Sequence, residues 1–249
     1  MMANVKKALA NKGFVVGGCI FLAIALIALV GPLVWTVNPN AQEMALRLSA
    51  PSPAHPFGCD DFGRDLLARV IAGARVSLGV GIAVTLATSV LGLVIGAYAC
   101  YNERLDHILM RICDGLMSIP GVLLAIALMA MMGASVWNVI IALSIVYTPS
   151  MARIVWLHIV PNVMAPFLVQ ATFVFAEAVL SEAALSFLGL GIKAPDASWG
   201  NILQAGKNVM RKAPWMIFFP AAAIIASVLS LNLAGDGLRD AFDPKTKED

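Results

Sequence analysis

The stretch Val76–Tyr101, VSLGVGIAVTLATSVLGLVIGAYACY, decides the fold class of this chain because it contains no charged residue. A helix needs about 20 mostly apolar residues to cross the hydrocarbon core of a bilayer, and this run is long enough. Small residues recur along it: Ser77, Gly79, Gly81, Thr85, Thr88, Ser89, Gly92 and Gly96. In lipid, such residues allow helices to approach closely. We therefore predict a membrane helix packed tightly against its neighbours, with direct lining of a transport pathway as the alternative.

The composition of the 249-residue chain supports this prediction. Of its residues 60% are hydrophobic and 13% are charged, and the mean hydropathy is +0.85. A soluble domain carries about a quarter charged residues and roughly half apolar ones. We therefore predict an all-α integral membrane protein. The 17 basic and 15 acidic residues nearly balance, which gives no electrostatic footprint for nucleic acid.

Six stretches qualify, or nearly qualify, as membrane spans: Phe14–Val34, Val76–Tyr101, Leu116–Met132, Val136–Ala152, Val163–Leu188 and Trp215–Ala234. The first follows three lysines, as the core of a signal peptide does. Its apolar run is too long for a signal peptide, so we interpret it as a retained span. At the other end, Gly-Asp-Gly at Gly235–Gly237 is typical of a helix stop.

Six spans place both termini on the same side of the membrane, and the lysine-rich N-terminus favours the cytoplasm. Two segments, Trp35–Arg75 and Ser186–Pro214, then lie on the outer side. Both mix proline, glycine and charge as ordered surface loops do. The second contains GIKAPDASWGNIL, which predicts a turn and a short amphipathic segment, either along the membrane surface or re-entering the protein.

No motif of catalysis, cofactor binding or metal binding is present. The nearest approach to a phosphate-binding loop is Gly206-Lys207-Asn208, but Asn201 stands where the first glycine is required. The three histidines are scattered, and the four cysteines form no Cys-x-x-Cys pair. We therefore predict that this chain is not an enzyme and binds no cofactor.

Two carboxylates, Glu177 and Glu182, fall within or near the end of the fifth predicted span. A carboxylate in the middle of a bilayer costs at least ~2.5 kcal/mol, so it normally faces water or a partner. Five residues turn a helix by roughly 140°, so the two do not share a face. We predict that they contact a transport pathway or another subunit, although Glu182 could instead reach the membrane interface.

Several stretches together resemble the permeases of peptide-importing ABC transporters, the dipeptide, oligopeptide and nickel group, and within it the C-type subunit of the permease pair. They are HPFGCDDFGRDLLARVIAGARVSLGVG (His55–Gly81), MRICDGLMSIPGVLLAIAL (Met110–Leu128), HIVPNVMAPFLVQATFVFAEAVLSEAALSFLGLG (His158–Gly191), SWGNIL (Ser198–Leu203) and NLAGDGLRDAFDP (Asn232–Pro244). They follow the family's order through nearly the whole chain. One departure is Cys59, where the family pattern usually has threonine.

The resemblance implies a type I ABC importer permease fold in a bacterial inner membrane, with both termini cytoplasmic. Residues 1–75 would form an N-terminal tail, first span and outer loop, residues 76–235 the permease domain, and residues 236–249 a cytoplasmic tail. Implied partners are a second homologous permease, two ATP-binding subunits that use the ATP, and an extracytoplasmic substrate-binding protein. The two outer segments would face that binding protein. The substrate could be a dipeptide, an oligopeptide, glutathione or nickel.

Permeases of this kind contact their ATPases through a loop between spans four and five. Its signature is Glu-Ala-Ala, three residues, Gly, nine residues and Ile-x-Leu-Pro. Only the tail is recognisable here, at Ile159–Pro161, because the glycine position falls on Pro149 and the Glu-Ala-Ala positions fall inside span four. Glu182-Ala183-Ala184 is a decoy, with its glycine one residue too far away. The loop between helices four and five is therefore predicted to be shortened near residues 153–158.

Two hypotheses explain the shortened loop. Either an internal deletion has impaired coupling, or this chain docks on the ATPase through its remnant, while its partner carries the main contact. The candidate remnant consists of Arg153, Trp156, His158, Ile159 and Pro161. The functional prediction is a permease subunit of a peptide importer. The alternative is a coupling-defective or non-transporting remnant, and an ATP-independent secondary transporter is a weaker third possibility, because no internal repeat supports it.

Overall fold

The computed structural model describes residues 9–157 and 164–242, and in these ranges it has helices and loops but no named strand. We number the helices α1 Lys12–Val34, α2 Leu66–Tyr101, α3 Glu103–Met117, α4 Gly121–Met132, α5 Val136–Leu157, α6 Met164–Phe187, α7 Trp199–Lys207 and α8 Trp215–Phe242. A short 3-10 turn covers Met44–Leu46. The prediction of an all-α protein is confirmed.

Five helices, α1, α2, α5, α6 and α8, are long and apolar enough to cross a membrane. Helices α3 and α4 provide a sixth candidate if counted together, but a bend of 92° separates them. The prediction of about six spans is confirmed, whereas the start of the third, at Leu116, is wrong. Proline at position 120 disfavours helical backbone at the residue before it, so α4 begins only at Gly121.

Helix α2 begins at Leu66, ten residues before the predicted span, because Asp65 caps it by accepting a hydrogen bond from the Ala68 amide. Its 36 residues rise about 54 Å, well beyond the ~30 Å hydrocarbon core. The helix therefore extends out of the bilayer and joins two ends of the molecule. The end that carries α7, which packs on the first turns of α2, is called the α7 side, and the opposite end is called the α3 side.

Tight packing around α2 confirms the role predicted for its small residues. A Cβ atom added at Gly92 would lie 2.5 Å from Met151 Cβ on α5, and one added at Gly81 would lie 2.5 Å from the Phe175 ring on α6. Both distances are shorter than real carbon contacts, so only glycine permits these approaches. Helix α2 thus packs directly against α5 and α6.

The predicted helix stop at Gly235–Gly237 is wrong, because α8 continues to Phe242. Both glycines are packing positions: an added Cβ would lie 2.5 Å from Thr172 Oγ1 at Gly235 and 2.5 Å from the Phe14 amide nitrogen at Gly237. They bring α8 against α6 and α1. Glycine ends many helices, but at these two positions it allows close contact between helices.

The segment between α6 and α8 folds inward. Ser198 and Asn201 form a capping box at the start of α7, so the amphipathic segment predicted there is helical. Trp199 and Ile202 are each 1% exposed and join the core formed with α2 and α8. Helix α7 is therefore held inside the protein instead of lying free on the membrane surface.

Candidate functional site

A polar groove lies between α6 and α8 and has a volume of 520 Å³. Helix α6 contributes Gln170, Phe173, Ala176, Glu177 and Leu180, and helix α8 contributes Val228, Asn232 and Asp236. These residues recur at intervals of three and four, so each helix presents one face to the groove. Four of the eight side chains are polar, which is unusual at membrane depth.

Glu177 is the most informative residue of this groove because it sits near the middle of α6 and is exposed on the surface of the chain. A carboxylate at that depth is costly against lipid tails. Gln170, Asn232 and Asp236 extend the polar surface along the groove towards the α3 side. The arrangement suits a surface that faces water or another protein within the membrane, and the pathway or subunit contact of Glu177 stays a prediction.

Glu182, by contrast, is completely buried inside the chain. Its carboxylate accepts hydrogen bonds from Ser77 Oγ on α2 and Ser186 Oγ on α6, both at 2.7 Å. In turn, Ser77 Oγ accepts a hydrogen bond from the Trp199 amide at 3.3 Å, and Ser186 Oγ accepts one from the Ile192 amide at 3.1 Å. Glu182 therefore joins α2, α6 and the start of α7, and the contact role predicted for it stays a prediction.

Two residues of the candidate coupling remnant, Arg153 and Trp156, lie at the α3 side, in the last turns of α5. Arg153 pairs with Asp114 of α3, and Trp156 is 37% exposed. Near them, Cys100 Sγ lies 3.6 Å from the Trp156 carbonyl oxygen. The remaining candidates, His158, Ile159 and Pro161, lie outside the described residues. The structure thus brings Arg153 and Trp156 to the end of the bundle where α3 packs on α5, and neither residue lines the groove.

A buried charge cluster before α2 was not singled out by sequence reasoning. Asp60 pairs with Arg64 at 2.6 Å and with Arg69 at 3.5 Å. Asp65 Oδ1 accepts a hydrogen bond from Trp35 Nε1 at 3.1 Å, and Asp65 Oδ2 lies 2.8 Å from His55 Nδ1. The sequence does show four charged residues within CDDFGRD (Cys59–Asp65). Their closeness in sequence could not show which of their side chains are buried.

Burial, together with the carboxylates of this cluster, raises the pKa of two neighbouring groups. Burial, followed by the nearby carboxylates Asp65 and Asp60, raises the pKa of the Cys59 thiol, which is free and 0% exposed. Burial and Asp60 also raise the pKa of Asp61, and Arg64 opposes them only in part. Asp61 Oδ1 is shielded from solvent and accepts no hydrogen bond from the described part of the chain, which explains why ionisation is disfavoured there.

Five long apolar helices, a bent pair and a polar intramembrane groove define a multi-pass membrane protein. Comparison with known families specifies it further: residues 88–155 and 150–248 match the binding-protein-dependent transport system inner membrane component. Residues 5–51 match the N-terminal transmembrane domain of oligopeptide transport permease C. The chain belongs to this family of inner-membrane transport permeases, which are not enzymes.

Three relatives illustrate the similarity. A Brucella abortus protein named as a peptide transport system permease is 40% identical over 99% of this chain and 93% of its own. The dipeptide transport system permease protein of Alkalihalophilus pseudofirmus is 39% identical over 95% of this chain and 87% of its own. The oligopeptide transport system permease protein of Bacillus subtilis is 35% identical over 96% of this chain and 87% of its own.

Proposed function

We propose that this chain is one permease subunit of a bacterial peptide importer and forms half of a pathway for peptides across the inner membrane. The observation that carries the proposal is the polar groove of α6 and α8, in a chain whose relatives are named as dipeptide and oligopeptide permeases. A second homologous permease would cover the groove. Two cytoplasmic ATP-binding subunits and an extracytoplasmic binding protein would complete the importer, with ATP bound only by those partner ATPases.

In this proposal the α7 side faces outwards and the α3 side faces the cytoplasm, with both termini. A peptide released at the α7 side would pass along Glu177, Asn232 and Asp236. Amide and carboxylate groups there replace part of the water that its backbone and amino terminus lose. The small-residue contacts of α2 would allow the helices to shift as rigid rods while the pathway opens on alternate sides.

The test is uptake of a labelled dipeptide in cells that lack their own peptide permease and express this chain with its partner subunits. Glu177→Gln should lower uptake roughly tenfold if one charge-dependent contact of about 1.4 kcal/mol is lost. Leu229→Ala, which alters an exposed apolar position on α8, is the matched control and should transport normally. Equal uptake by Glu177→Gln and the unmodified chain would contradict a pathway role for the groove.

A second candidate function, a coupling-defective or non-transporting permease, is favoured by a separate observation. Only residues 158–163 lie between the end of α5 and the start of α6. The family match also breaks into two parts that overlap at residues 150–155. The aligned region with the Brucella abortus relative is 274 residues long, 25 more than this chain contains, so the relative carries residues that have no counterpart here.

These two candidates predict different results in the same assay. A functional permease gives ATP-dependent uptake when all partners are present. A coupling-defective chain is inserted and assembles with the second permease, but neither takes up dipeptide nor retains the ATPases during purification. Uptake without ATP would contradict both candidates and would favour a secondary transporter.

A further inference from the structure

A basic hollow lies on the α7 side, away from the groove, and has a volume of 590 Å³. Two separate parts of the chain form it: Arg47 and Leu48 from the segment before α2, and residues 207–212 from the end of α7 and the turn after it. Four of the eight lining residues are cationic: Arg47, Lys207, Arg211 and Lys212. Every one of these four side chains is exposed.

Within residues 9–157 and 164–242, none of the four cations forms an ion pair. Lys207 is explained by its place in the last turn of α7, because a lysine there complements the partial negative charge at the end of the helix. Arg47, Arg211 and Lys212 have no such explanation. Like charges that line one hollow repel each other, so the arrangement favours binding of an anion.

The walls of the hollow are held by main-chain hydrogen bonds. The amides of Lys212 and Ala213 both donate to the Val209 carbonyl at 2.8 Å, and the Leu48 amide donates to the main-chain carbonyl of Asp60 at 3.0 Å. Leu48 is thereby tied to the buried charge cluster before α2. The four cations therefore project from a fixed frame built by two segments that are far apart in sequence.

Apolar side chains line the hollow or follow it along the chain, where α8 begins. Helix α8 starts at Trp215, three residues after Lys212, and Phe218 one turn further on is 66% exposed. Met210, within the lining, is 55% exposed. Lys207 Nζ lies 5.8 Å from the centre of the Phe187 ring. Cations next to exposed apolar and aromatic groups at a helix end are typical of the headgroup layer of a membrane.

We propose that this basic hollow binds the phosphodiester headgroup of an anionic phospholipid, such as phosphatidylglycerol, whose acyl chains lie along Met210 and Phe218. Arginine and lysine side chains bind phosphate oxygens through charge-assisted hydrogen bonds. An acidic protein surface would satisfy the cations equally well, but it would leave the adjoining apolar side chains without a partner. The lipid accounts for both features, and this site does not depend on which solute the chain transports.

Native mass spectrometry of the full chain in detergent tests the proposal with defined probes: phosphatidylglycerol, phosphatidylcholine, inorganic phosphate and hexaglutamate. Each cation near an anionic phosphate contributes about fivefold in affinity, so Lys207→Gln combined with Arg211→Gln should weaken phosphatidylglycerol binding on the order of 25-fold. Arg47→Gln alone should weaken it about fivefold, since both segments contribute. Binding of phosphatidylcholine should not change.

Lys193→Gln, which removes an exposed lysine of the same segment outside the hollow, is the matched control and should bind phosphatidylglycerol like the unmodified chain. Thermal unfolding in lipid-free detergent, unchanged by the double substitution, would show that the fold is intact. An equal loss in Lys193→Gln would overturn the proposal, because general surface charge would then suffice. So would displacement of the lipid by equimolar inorganic phosphate, or tighter binding of hexaglutamate than of phosphatidylglycerol.

Discussion

Glu177 and Glu182 show how one helix serves two purposes at the scale of single residues. The first is exposed at the groove, and the second is enclosed by hydroxyl groups. Their spacing alone predicted different faces, because five residues turn a helix by roughly 140°. It could not predict the hydroxyl partners of Glu182, since Ser77 lies 105 residues away in sequence. A carboxylate within a predicted span is recognisable from sequence, but its burial and its partners depend on tertiary packing.

Substitution of Glu182 should destabilise the protein much more than substitution of Glu177. Glu182→Ala leaves the Ser77 and Ser186 hydroxyls without their acceptor and opens a void, at a cost of about 1–3 kcal/mol. Glu182→Gln keeps an acceptor and should cost less. Glu177→Ala, at an exposed position, should change stability by no more than about 0.5 kcal/mol. Thermal unfolding in detergent measures all three, and equal losses for both alanine variants would contradict the structural role of Glu182.

Asp61 should make stability depend on pH in a defined direction. Because burial raises its folded pKa above the ordinary value of 3.8, the folded state holds the proton to higher pH than the unfolded state does. The contribution of protonated Asp61 to the free energy of unfolding is therefore complete below that ordinary value. It is lost as the pH rises through the pKa of the folded state. Asp61→Asn should therefore be more stable than the unmodified chain at neutral pH, and the difference should vanish towards pH 3.8.

Unfolding measured across this pH range in detergent tests the direction. Asp60→Asn is the control, because Asp60 is buried and accepts hydrogen bonds from Arg64, so its loss should destabilise at neutral pH. A variant Asp61→Asn that is less stable than the unmodified chain at neutral pH would contradict the assignment.

At the scale of helices, glycine separates what composition can predict from what it cannot. The abundance of small residues in α2 correctly predicted a tightly packed helix. The same reasoning failed for Gly235–Gly237, because a glycine that ends a helix and one that admits a neighbouring helix are identical in sequence. Which applies depends on whether another backbone approaches, as Phe14 of α1 does at Gly237. Helix bounds were therefore harder to predict than the number of helices.

Two glycines of α2 provide a matched test of this packing. Gly92→Ala places a Cβ atom 2.5 Å from Met151 Cβ, and the overpacking should cost about 1–3 kcal/mol. An added Cβ at Gly79 meets no atom within 4 Å, so Gly79→Ala should stabilise by up to about 1 kcal/mol through helix propensity. Thermal unfolding of the two variants should shift in opposite directions. Equal effects would show that α2 and α5 are not in close contact at Gly92.

At the scale of the whole molecule, the groove and the junction between α5 and α6 lead to different expectations about activity. The groove retains polar side chains along both of its helices, as a working pathway requires. The junction leaves only residues 158–163 between two long helices, at the end where Arg153 contacts α3. Sequence reasoning predicted a shortened connection from its departure from a family pattern, and the shortened loop stays a prediction. It could not show that α3 packs against the end of α5, because the Arg153–Asp114 pair joins residues 39 positions apart in sequence.

The coupling-defective alternative predicts that a complete loop, inserted at this junction, restores contact with the ATPases. The loop of a relative that carries the Glu-Ala-Ala signature, inserted between Val155 and Trp156, adds a docking helix at the α3 side without altering the groove. If the added helix contributes about 1.4 kcal/mol of binding free energy, the amount of co-purified ATPase should rise roughly tenfold. A Gly/Ser linker of equal length is the control, because it adds reach without a helix and should not raise it. If the unmodified chain already retains its ATPases as well as the chain with the insertion, the junction is a sufficient docking site, and the coupling-defective alternative is wrong.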